Sequence, residues 1–90
     1  MNDELLFNLR DEEFSFEAYG VTLKVKRLNL PGHVAFRIEF SSSRKPITIV
    51  RASNREGEKF WTTIPENPGR QREAEGVGKL LGEYISKLEN

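Results

Sequence analysis

Cysteine is absent from the 90 residues, and histidine and tryptophan occur once each, as His33 and Trp61. Without cysteine there is no disulfide scaffold, thiol nucleophile, thiolate zinc site or iron–sulfur cluster. A cysteine-free chain fits a reducing compartment, so a cytoplasmic location is expected. One histidine has no partners for a catalytic triad or a histidine-based metal site. His33 directly follows Pro31-Gly32 and reads as an exposed turn residue. No run reaches the ~18 apolar residues of a membrane-spanning helix, so no membrane partner is expected. The start Met1-Asn2-Asp3-Glu4 lacks the basic residues of a secretion signal. The fragment Gly76-Val77-Gly78 has no preceding strand and lacks the further glycine of a phosphate loop. The acids Asp11-Glu12-Glu13 and Glu73/Glu75 read as solvated faces, not as two carboxylates held across a cleft. No cofactor or metal is expected, and catalysis is the least supported class.

What is present suits one small domain. Apolar residues are 37% of the chain and charged residues 31%, with six Phe, two Tyr and one Trp to build a core. The middle of the chain alternates with period two, the pattern of half-buried strands. Phe14, Phe16 and Ala18 alternate with polar neighbours, as do Val21, Leu23 and Val25. Tyr19-Gly20 between them suits a two-residue turn. The hairpin register then pairs Ala18 with Val21, Phe16 with Leu23 and Phe14 with Val25. The other face pairs Glu13 with Lys26, Ser15 with Lys24 and Glu17 with Thr22, so one register satisfies both faces.

Pro31-Gly32 marks the next turn, and Val34, Phe36, Ile38 and Phe40 share one face of a third strand. A strict two-residue turn would set Arg27 opposite Phe36. The sequence therefore predicts a bulge or longer loop near residues 27–29, where the apolar parity shifts. Strand four covers residues 47–53, apolar on both faces, which predicts a covered position. Asn54-Arg55-Glu56-Gly57 is a turn, and strand five covers residues 58–64. Asn67 can cap a helix with Pro68 at its first position. Ala74, Val77, Gly78, Leu81, Tyr84, Ile85 and Leu88 then recur at helical spacing to about residue 88. The glycines each cost ~1 kcal/mol relative to Ala in a helix. The stripe Ala74, Gly78 and Gly82 therefore implies either close packing on the sheet or a helix–helix dimer contact. In residues 1–11, Asp3 could cap a short helix carrying Leu5, Leu6 and Leu9, or residues 5–9 could form an edge strand. The expected fold is a single α+β domain: residues 12–64 form an antiparallel meander of about five strands, and the helix of residues 67–88 packs on one face.

The formal net charge is +0, but the charge is not spread evenly. Residues 1–20 set Arg10 against Asp3, Glu4, Asp11, Glu12, Glu13 and Glu17, for net −5. Residues 21–72 carry eleven Lys and Arg against Glu39, Glu56, Glu58 and Glu66, for net +7. Residues 73–90 are net −2. If the helix covers the Phe16/Leu23/Ile38 face, the opposite face displays Lys24, Lys26 and Arg37. Arg44 and Lys45 join from one loop, and Arg55 and Lys59 from another. Either Trp61 or Phe60 would lie on that face: Trp61 if it pairs with Val50, Phe60 if Trp61 pairs with Ile49. Basic side chains with an aromatic on a curved sheet are the composition that binds single-stranded nucleic acid. Several antiparallel strands followed by one helix also resemble in topology the PUR-alpha family of single-strand binders, with no shared motif. Arg70 and Arg72 at the helix start form a second candidate site, for an anion. The alternative function is a protein-interaction or homodimer module, using the apolar N-terminal segment and the Ala74/Gly78/Gly82 stripe.

Overall fold

The computed structural model describes residues 12–88. The expectations for the segment 1–11 lie outside the described residues. Five antiparallel strands form one sheet in the order β1-β2-β3-β4-β5: β1 (Glu13–Ala18), β2 (Val21–Leu30), β3 (His33–Phe40), β4 (Ile47–Ser53) and β5 (Lys59–Thr63). A 3-10 turn, Pro68–Arg70, leads into the single helix α1 (Gln71–Leu88), which packs on one sheet face. The α+β meander with a C-terminal helix is as the periodicity predicts, and no described helix is long and apolar enough to cross a membrane.

The β1–β2 register is the one that both faces demand, from Glu13 opposite Lys26 to Ala18 opposite Val21. Tyr19 and Gly20 turn the chain with φ of 52° and 75°. Positive φ at both positions gives the twist that matches the flanking strands. The β2–β3 hairpin corrects the expectation of a bulge. Leu30 opposes His33 across a strict two-residue turn, and Arg27 sits directly opposite Phe36 with the ladder unbroken. The long stem of Arg27 makes this tolerable. Arg27 is half-buried, and its long stem can lie over apolar surface beside Phe36.

The continuous register fixes the composition of the two faces. The helix side carries Phe14, Phe16, Leu23, Val25, Val34, Phe36, Ile38, Ile47 and Ile49, closed by Ala74, Val77, Leu81 and Ile85 of α1. Phe36, Ile38, Ile49, Leu81 and Ile85 are fully buried, each contributing about 1.5–3 kcal/mol relative to exposure. Trp61 pairs with Arg51, which gives it the same parity as Ile49, and it lies in the core at 4% exposure. The small-residue stripe explains the close approach: a Cβ on Gly78 would stand 2.2 Å from Cδ1 and Cγ of Trp61. Ala74, Gly78 and Gly82 are all buried, and at Gly78 the stripe serves close packing on Trp61 of the sheet.

The helix start is tied to two other elements. Asn67 caps as predicted, its Oδ1 accepting from Gly69 N at 3.1 Å. Gln71 donates from Nε2 to the Trp61 carbonyl at 2.8 Å, and its Oε1 accepts from the Thr62 hydroxyl. Arg70 donates to the carbonyls of Pro46 and Lys45, each at 2.8 Å, and from Nε to Glu73.

Candidate interaction surface

The predicted basic residues do not assemble into one surface. Lys24, Lys26 and Arg37 lie exposed on the helix-free face, where they line a shallow concavity of about 370 Å³ with Glu13, Ser15 and Glu39. Acids there offset them: Lys26 stands 3.7 Å from Glu13, and Arg37 3.7 Å from Glu39. These pairs are roughly half exposed or more, so each is worth ~0–1 kcal/mol and opens readily. With Glu17, the face carries Glu13, Glu17 and Glu39 against Lys24, Lys26 and Arg37 and is electrically balanced.

Arg44 and Lys45 belong to the β3–β4 loop, at one end of the strands. Arg55 lies at the other end, in the β4–β5 turn, and Lys59 starts β5 with its side chain on the helix side of the sheet. Arg44 bonds Glu73 at 2.9 Å. Trp61 is removed as a stacking surface by its burial. The aromatic that β5 presents on the helix-free face is Phe60, half-buried opposite Ala52.

The helix start is not an open anion site. Arg70 turns inward to two carbonyls and Glu73, and only Arg72 of the predicted pair is exposed. The chain supplies its own anion there. The Glu73 carboxyl is held below the ordinary glutamate range, first by the hydrogen bond from Arg70 and further by Arg44, against the opposing effect of its burial.

The feature that dominates the helix-free face is apolar. Leu28, Ala35 and Val50 form a continuous cross-strand row, and Ala52 opposite Phe60 lies beside it, with Leu30 at the hairpin end. Ala35 is at 0% and Val50 at 9% exposure, while Leu28, Leu30, Ala52 and Phe60 are half-buried. Among the described residues no second sheet or helix packs on this side. The signal is present in the sequence: the apolar residues of β2 change parity between Val25 and Leu28. With the ladder unbroken, that change moves Leu28 and Leu30 to the outer face.

Comparison of the chain with protein-family models, curated proteins and solved structures finds no match. The topological resemblance to the PUR-alpha family therefore rests on element order alone.

Proposed function

We propose that the chain is a non-catalytic protein-interaction module that associates through its helix-free sheet face, with a second copy of itself as partner. The observation that carries this reading is the row of half-buried Leu28, Ala52 and Phe60 around buried Ala35 and Val50, on a face where no described strand or helix packs. An apolar centre within a charged rim is the anatomy of a protein interface, and the half-buried Leu28, Leu30, Ala52 and Phe60 supply its accessible part. Charge parity points to a second copy. The face balances three acids with three bases and the whole chain is neutral, so two such faces meet without net repulsion. A twofold arrangement can then oppose Lys24 and Lys26 of one copy to glutamates of the other. The test is sedimentation equilibrium from micromolar to millimolar concentration. The native chain should dimerise, and the Leu28→Glu/Phe60→Glu variant should remain a folded monomer. A native chain that is monomeric throughout refutes the reading.

A second reading, single-stranded nucleic-acid binding, is favoured by the convergence of Lys24, Lys26 and Arg37 on one concavity with Phe60 on the same face. Phosphate neutralisation would be salt-dependent, and Phe60 would supply the stacking surface. A labelled mixed-sequence oligonucleotide titrated at low salt tests it. Retention that weakens on added salt and on Lys26→Glu supports it; no retention at low salt removes it.

A further inference from the structure

We infer that the outer edge of β1 is a strand-addition site for an extended peptide in which Lys or Arg alternates with apolar residues. The sheet has two edges, and they are finished differently. At β5 the outward carbonyl of Trp61 is already taken by the Gln71 side chain. At β1, no described strand pairs on the outer side. Arg27 N donates to Glu12 O, so the even residues of β1 hold the hydrogen-bonded positions against β2. The N–H and C=O groups of Glu13, Ser15 and Glu17 consequently point away from β2, a row of three that no described strand pairs.

Among the described residues, the apolar layer also ends at this edge. Leu23 and Val25 of β2 are at 3% and 2% exposure, whereas their partners Phe14 and Phe16 remain half-buried. Both rings stack on Tyr84, with centroids 5.5 and 4.8 Å away, and Tyr84 is itself half-buried. An added strand would place alternate apolar side chains beside this aromatic group and its other side chains beside Glu13 and Glu17. The chain's own β2 shows the pattern that satisfies β1: Lys26 opposite Glu13, Lys24 opposite Ser15, and Val25 and Leu23 on the aromatic side. A second copy of β1 does not fit. Antiparallel pairing centred on Ser15 would set Glu13 against the other copy's Glu17 twice, and like charges directly opposite are unfavourable. The edge shares Glu13 and Glu17 with the helix-free face, but its binding row is backbone, so slowed exchange at Glu13, Ser15 and Glu17 reads this proposal independently of dimerisation.

The test uses the full chain and two blocked heptapeptides, one alternating Lys and Val and one alternating Glu and Val, followed by amide shifts and hydrogen exchange. The lysine peptide should slow exchange at Glu13, Ser15 and Glu17, whose amides point outward, and should bind at least tenfold less tightly to the Glu13→Gln/Glu17→Gln variant. Added salt should weaken it, and the glutamate peptide should not bind. No slowing at millimolar lysine peptide overturns the proposal, as does equal binding of both peptides or of the variant. Both substituted positions are exposed, so circular dichroism should show the variant folded.

Discussion

Gly76 and Gly78 sit two residues apart in one helix, and the same substitution at each should move stability in opposite directions. A Cβ at Gly76 meets nothing within 4 Å, so Gly76→Ala changes only the helical preference of the residue. That gain is about 0.8–1 kcal/mol. At ~4–8 °C per kcal/mol for a domain of this size, the melting temperature should rise by roughly 4–8 °C. At Gly78 the new carbon would lie 2.2, 2.2 and 2.6 Å from three ring atoms of Trp61. The ring is packed, with Trp61 4% exposed and its centroid 6.1 Å from that of the fully buried Phe36. Forcing a methyl group into a packed core costs about 1–3 kcal/mol, and contacts this short place Gly78→Ala at or above the upper end. Offset by the same propensity gain of about 1 kcal/mol, the net loss is on the order of 2 kcal/mol, a fall of roughly 8–16 °C. Thermal melts by circular dichroism measure both. Shifts of the same sign, or a neutral Gly78→Ala, would refute the placement of Trp61 beneath the helix.

Other consequences follow from single residues. Glu73 has a lowered carboxyl pKa in the folded chain, so its contribution is present above the ordinary glutamate range near ~4.3 and is lost as pH falls through the lower folded value. Glu73→Gln should accordingly cost about 1.5–3 kcal/mol at neutral pH and much less in acid; a cost that does not change with pH would contradict the Arg70–Glu73–Arg44 arrangement. Tyr19 holds a φ of 52° with its ring 92% exposed. Tyr19→Asn should therefore stabilise by on the order of 1 kcal/mol, read from chemical denaturation. Trp61 fluorescence should resist acrylamide quenching in the folded chain and stay unchanged by any oligonucleotide that binds the helix-free face, and ready quenching would contradict its burial.

The sequence makes some of this legible for specific physical reasons. The β1–β2 register can be read because two independent constraints, apolar pairing on one face and Glu13 opposite Lys26 on the other, select the same alignment. The helix and its Asn67-Pro68 start can be read because capping and apolar spacing agree. The β2–β3 register misleads because Arg27 beside Phe36 looks like a buried charge, although a half-buried arginine can lay its long stem over apolar surface. That one misjudged position also hides the apolar patch, since a bulge would have returned Leu28 and Leu30 to the core side. The face of Trp61 depends on the β4–β5 register, which alternating residues alone leave open by one position. Of the candidate site, Lys24, Lys26 and Arg37 follow from hairpin parity. Arg70 does not, because its partners are the carbonyls of Lys45 and Pro46, 25 and 24 residues away in the chain.

The most direct test of the helix-free face as the working surface is to follow backbone amide shifts as the native chain is concentrated from about ten micromolar to one millimolar. Concentration-dependent shifts should gather on Leu28, Ala35, Arg37, Val50 and Phe60, with α1 silent. Shifts confined to α1, or none at any concentration, would contradict the account.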